Sequence, residues 1–340
     1  MSSPETTRST SPIADLSYRH YDGPLDAVDH RWWCIAKMTM SMATKRRGFW
    51  GWSIFSAWWY IILLAIFWFL DNLSGGLGAG GTGSNPFLKQ IIWKDQFLHA
   101  FSYSQLILMV VALLVGVGTI ANDNRSNALL VYLSKPCSRF DYVFGKWLGI
   151  FLLITGVSLV PMMIFYLYGF MSFQDYGFWT QSPWLFLKLI FVSVASGAIH
   201  ASLSIGVSSL FNQGRLASAT YAGLYFLSYI FTQIIAAVNT TAVFNGTKAP
   251  GFVRNLFYCS VDGLQIGLAK VIIGTNGSPI LPGMGMAGGN GRRGGNQPAF
   301  NAEDIIIHAP NLTMIIPIFV FVVATGFLVA WSRIKAVEVV

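Results

Sequence analysis

Charge is what this 340-residue chain has least of: Asp, Glu, Lys and Arg together make up 11% of it. Ordinary soluble domains carry roughly 25%, so a chain this large and this poor in charge lacks the surface to stay dissolved. A soluble globular enzyme and a disordered chain are both excluded on that ground. Cysteine is scarce too. Cys34, Cys137 and Cys259 cannot all pair, and none belongs to a CxxC or Cys/His ligand set, which excludes a disulfide scaffold. No GxxxxGK[ST] occurs, so the chain does not bind ATP by a P-loop. The five histidines (His20, His30, His99, His200, His308) show no HExxH or paired metal spacing. No Gly-x-Ser-x-Gly stands beside Asp and His partners, which leaves an intramembrane hydrolase without support.

Apolar residues are what the chain has instead, at 54% of the total with 15% aromatic and 12 Trp. Mean hydropathy is +0.55. Six stretches, 51–70, 98–120, 147–168, 185–211, 216–238 and 313–331, reach the length of about 20 mostly apolar residues that a helix needs to cross a bilayer. The only Asp, Glu, Lys or Arg within them is Lys188, one turn inside its stretch, where it can snorkel to the interface. The expected fold class is an all-α membrane protein of six transmembrane helices, 51–335, with an amphipathic helix before them.

The basic residues choose an orientation. The chain has 22 Lys and Arg against 14 Asp and Glu, a net charge of +8. Fourteen of the basic residues fall in 1–50, 121–146, 212–215 and the tail; the opposite connections hold three, plus five in the long 239–312 loop, which counts little. Both termini are therefore expected on the cytoplasmic side of the cell membrane. Positive-inside topology and attraction to anionic lipid explain the charge; there is no compact basic stripe interleaved with stacking aromatics, so nucleic acid is not an expected partner.

Residues 1–30 are rich in Ser, Thr, Pro and Asp and read as a mobile cytoplasmic segment; no cleavable signal peptide is visible, and the first span is expected to act as a signal anchor. Residues 31–50 mix Trp, Met and basic side chains, as a helix in the headgroup layer would. In the outer loop 239–312, residues 252–273 are apolar but broken by Arg254, Asp262 and Lys270, and read as a helix resting on the outer face or dipping into the bilayer, not as a seventh span. Residues 274–298 hold nine glycines. Two GxGxxG matches, 76–81 and 283–288, lie in such glycine-rich loops without the strand and helix that a dinucleotide fingerprint requires, and read as linkers.

His200 lies inside the fourth stretch, in Ser196-Gly197-Ala198-Ile199-His200-Ala201-Ser202. An intramembrane ionisable group is a functional candidate by default. Its small and hydroxyl neighbours equally suit close helix packing and interhelical hydrogen bonds, the reading favoured here. Met162-Met163 and Met284/Met286 are explained by gap filling rather than soft-metal handling.

The most informative segment is 120–149. A polar turn ends the second span, an amphipathic helix is expected over about 127–134, Pro136 stops it, and Ser138 can cap the next helix. Its residues resemble the cytoplasmic signature of ABC-2 type transporter permeases: an Ile-Ala-x-acid start at Ile120–Asp123, then Leu129, Leu130, Leu133, Ser134, Pro136, Ser138 and Arg139, then Gly145, Lys146 and Gly149 entering the next span. That family usually has Glu where Asp123 stands and commonly Gly-Thr where Asn127-Ala128 stand. The resemblance implies the membrane subunit of an ATP-driven transporter, paired with a second permease subunit and meeting a separate ATPase subunit that holds ATP and Mg; this chain itself would bind no cofactor and catalyse nothing. The loop between spans 2 and 3 would dock on the ATPase, with Asp123, Arg125 and Arg139 as polar contacts and Leu130, Leu133 and Pro136 as the packing face. Export is that family's usual direction. The alternatives are an ion-coupled secondary transporter, for which His200 is the one mid-membrane ionisable group, or a non-transporting membrane scaffold.

Overall fold

The computed structural model describes residues 30–76, 86–128, 138–247, 249–278 and 305–334. Among these there are helices and turns and no strand. This follows from the solvent: hydrocarbon offers no partner for backbone N–H and C=O, so each apolar segment must satisfy its own. Among the described residues, six helical segments are long and apolar enough to cross a membrane: span 1 (Arg47–Asn72), span 2 (Trp93–Arg125), span 3 (Arg139–Ser172), span 4 (Leu185–Ser209), span 5 (Gly214–Phe244) and span 6 (Leu312–Arg333). The number agrees with the sequence, but most helices run further than the apolar stretches. Span 3 starts at Arg139 rather than 147, and span 5 continues to Phe244.

Span 4 is the hub. Its most apolar stretch is 72% buried, against 11% for span 6 and 22% for spans 1 and 5, whose outer faces carry Trp68, Phe69, Leu227, Phe321 and Leu328. The small residues of span 4, from Ser193 through Ser209, permit neighbouring backbones to come close, as membrane helix packing favours. At the end where spans 2 and 3 approach each other in sequence, the core is aliphatic, built on Val111, Val115, Val143, Ile150 and Ile205. At the opposite end it is aromatic: Trp93 lies 4.9 Å from Phe173, and Phe97 4.9 Å from Phe165.

Two spans depart from straight helix, and both departures have partners. Span 1 breaks at Ser56-Ala57, where the Ser104 hydroxyl of span 2 donates to the Ser56 carbonyl at 3.1 Å. Span 2 passes through a π turn at Leu113–Val117, and Gly116 there sits so close to span 4 that a Cβ would fall 2.5 Å from Ser204 Oγ.

The sequence treats 31–50 as one helix; the structure has a helix over Arg31–Thr44 and then a turn. Arg46 is extended (φ −81°, ψ 121°), and its guanidinium donates to the Leu114 carbonyl at 2.7 Å, within the π turn. The chain thus turns where a cation satisfies a carbonyl loosened by the wide turn, and span 1 starts at Arg47.

Residues 252–273 are two helices, Gly251–Cys259 and Val261–Ile273, meeting at 104° about Ser260. Chain direction settles what they do. Span 5 begins beside Asn122 of span 2 and ends with Asn239 donating to the Ile305 carbonyl. Span 6 begins just beyond, at Leu312, and returns to the first end, where Phe327 and Trp331 meet Phe140. The bent pair therefore leaves and rejoins the bundle at one end and is not a seventh crossing, as its interrupted hydropathy suggests.

Candidate functional site

The site is built at the end of span 2. Helix Thr119–Arg125 follows the π turn and a turn at Gly118. The first amides of a helix have no internal partner. Here Ser208 of span 4 supplies one: its hydroxyl oxygen accepts from Ile120 N at 3.1 Å and Ala121 N at 3.0 Å.

Asp123 lies one turn further on. Its Oδ2 accepts from the Tyr142 hydroxyl at 2.7 Å and pairs with Lys146 Nζ at 3.0 Å. Tyr142 and Lys146 are four residues apart on one face of span 3, and the ammonium stands 5.8 Å from the Tyr142 ring centroid. Lys146 has a side-chain exposure of 2% and Asp123 of 18%, so the pair joins the bundle interior to its rim. A charge this buried is held only because a partner and hydrogen bonds replace water. Beside it is a cleft of about 90 Å³, lined by Thr39 and Met42 of the N-terminal helix, Arg46, Thr119, Asp123 and Lys146.

Span 3 carries the N-terminal helix on this same stretch. A Cβ at Gly145 would fall 2.6 Å from the Trp32 carbonyl, and one at Gly149 2.8 Å from the Ala36 carbonyl. The Gly-Lys-x-Leu-Gly run thus has a packing meaning: two glycines one turn apart admit a crossing helix, while Lys146 between them turns to Asp123. Ser138 caps span 3 in a reciprocal box. Its hydroxyl accepts from Asp141 N at 3.0 Å, and Asp141 Oδ2 accepts from Ser138 N at 3.1 Å.

Of the residues singled out from sequence, Arg125 and Arg139 are exposed at the two ends of the span 2–span 3 connection. Asp123 faces Tyr142 and Lys146. Leu130, Leu133 and Pro136, with the amphipathic helix expected over 127–134 from Leu129 on, lie outside the described residues. Asn127, where the permease pattern commonly has Gly, has φ +53°, a left-handed conformation that Gly and Asn adopt more readily than other residues.

His200 is not part of this cluster; it lies about 12 Å along span 4 from Ser208. It is fully buried, with Nδ1 2.8 Å from the Tyr221 hydroxyl and its ring stacked on Tyr225. Around it, hydroxyls and amides join spans 4 and 5 to the bent pair. Ser196 donates to Gln265 Oε1 at 2.7 Å, Thr232 donates to Ser260 Oγ at 2.6 Å, and the Ser228 hydroxyl oxygen accepts from Val261 N at 2.6 Å. Asp262, buried nearby, is 3.5 Å from the Tyr225 hydroxyl. Among the described residues no group of three His, Cys, Asp or Glu could hold a metal ion.

Tyr142, Lys146, Ser208, Asp262 and Gln265 were not picked out as site residues from sequence. For Lys146 a signal existed: a cation at the start of one span and an acid at the end of the preceding one lie at the same level when the two are antiparallel.

A bundle of six apolar helices with its charged residues gathered toward the helix ends and in the connections defines a polytopic membrane protein. Residues 1–267 match the family described as ABC-2 family transporter protein, and the chain belongs to that family. No curated protein matches it.

Proposed function

We propose that this chain is the permease subunit of an ATP-binding-cassette exporter, driven by a separate ATPase subunit that docks where span 2 meets span 3. Family membership supports the transporter class. The observation that carries the docking end is the tethered helix Thr119–Arg125: capped from span 4 by Ser208 and ion-paired to span 3, with exposed Arg125 and Arg139 at either side of the connection. Exposed cations on so firmly tied a base suit a partner that pushes. The excess of Lys and Arg at this end supports a cytoplasmic side for it and for both termini, the side that holds ATP.

In this reading a second permease subunit completes the pathway, and closure of the ATPase pair moves the connection. The effect on the bundle is a shift between two packings, which requires that the ATPase bind one packing better than the other. Purification of the chain from its native membrane in mild detergent tests the reading. A stoichiometric nucleotide-binding ATPase is the expected companion; recovery of the chain alone from several mild detergents, with ATPases present in the lysate, would overturn it.

A further inference from the structure

We propose that Asp123, Tyr142 and Lys146 are positioning residues that lock the docking end of span 2 to the first turns of span 3, making the two move as one body. The inference rests on the transporter reading for its purpose, but on geometry for its content.

The π turn at Leu113–Val117 and a turn at Gly118 interrupt the regular α-helix of span 2 just before Thr119. Such an interruption loosens the hydrogen-bond ladder, so that side chains of other helices can steer the helix that follows. Its direction comes from side chains, and three are in place: Ser208 on its first amides, and Tyr142 and Lys146 on its one carboxylate. Both bonds to Asp123 come from one face of span 3 and converge on the same oxygen, so one displacement of that oxygen weakens both. Lys146, with 2% exposure, meets only the narrow cleft beside it if Asp123 departs. Separation therefore strands a buried ammonium, and the arrangement resists opening far more than a surface pair would. Gly145 and Gly149 extend the same body to the N-terminal helix, which packs against their backbone. A push on the connection is thereby delivered to span 3 and the N-terminal helix, while the π turn leaves the rest of span 2 free to follow a different path.

The test uses hydrogen exchange on the full chain in lipid nanodiscs, alone and with its ATPase. In the chain alone, Tyr142→Phe and Asp123→Asn should raise exchange at the 119–125 amides by about tenfold, with span 6 unchanged. Should Asp123→Asn fail to fold, the paired variant Asp123→Leu with Lys146→Met removes both charges and keeps the question open to measurement. Asp123→Glu should return exchange to near wild type. In the complex, nucleotide should change protection of residues 139–149 in the wild type, and Tyr142→Phe, which leaves every named docking residue in place, should weaken that response while still recovering the ATPase. A span 3 response equal to that of wild type in Tyr142→Phe would overturn the lock. If no ATPase binds the wild-type chain, the transporter reading fails, whereas the exchange of the chain alone still judges the lock: unchanged protection at 119–125 in Tyr142→Phe and Asp123→Asn would refute it.

Discussion

Gly326 of span 6 lies against the backbone of Ser202 in span 4, so close that a Cβ on it would fall 2.4 Å from the Ser202 carbonyl oxygen. One turn further along span 4, Gly206 meets Gly326 in return, its own Cβ position being 3.0 Å from the Gly326 carbonyl oxygen. With most of span 6 open to lipid, this crossing is its main anchorage. The obstacle is backbone, which cannot rotate aside as a side chain can. Gly326→Ala should therefore destabilise the protein by about 1–3 kcal/mol, the usual range for overpacking. The neighbouring Thr325→Ala, on an exposed face, should leave thermal unfolding in nanodiscs unchanged. Equal midpoints for the two variants would show that span 6 is held elsewhere.

His200 and Tyr221 form a buried pair across spans 4 and 5. Interhelical hydrogen bonds in membranes are worth about 0.6 kcal/mol on average and up to about 1.7. Tyr221→Phe and His200→Phe should each weaken the fold, and the double variant should be less impaired than the two effects added together, since neither retains a partner to lose. A double-mutant cycle on unfolding measures this directly. Strict additivity would mean that the contact carries no energy.

Asn127 turns the chain out of span 2 with φ +53°. Asn127→Gly should be tolerated within a few tenths of a kcal/mol, because glycine reaches that region without steric penalty. Asn127→Val should cost about 1–2 kcal/mol locally, from the stiffness of a β-branched side chain and the loss of a short amide that can hydrogen-bond its own backbone. The readout is amide exchange at 119–127. Comparable exchange in both variants would remove the conformational explanation for the residue type at this position.

The six spans were legible because hydropathy along the chain reports directly on solvent preference. The cap at Ser138, which starts span 3, was legible as well, since a cap is a local matter of one hydroxyl and one amide. What hydropathy could not give was burial decided by neighbours. Lys146 stands just before the apolar stretch beginning at 147 and reads as an interfacial cation, yet the N-terminal helix and span 2 close over it. Asp262 reads as a break in an apolar run; the bend at Ser260 instead carries it under span 5. The π turn is equally silent, for Leu113-Leu114-Val115-Gly116-Val117 is an ordinary apolar sequence whose wide turn depends on Arg46 and Ser204 from other segments.

Arg139 is exposed at the first position of span 3 and makes the sharpest test of where the ATPase docks. Reversing its charge places a carboxylate beside a helix N-terminus, which the helix dipole favours, so the fold and its insertion should survive. An ATPase surface that expects a cation should then meet repulsion. Arg139→Glu should lower recovery of the complex about tenfold at low salt, with the deficit narrowing as ionic strength screens the repulsion. Ser138→Ala provides the complementary variant: it removes the cap, loosening the first turn by about 1 kcal/mol without changing charge. If docking reads charge, Arg139→Glu loses the ATPase and Ser138→Ala keeps it. If Ser138→Ala loses it equally and salt changes neither result, the order of the first turn matters rather than the guanidinium, and the polar contact must be sought at Arg125.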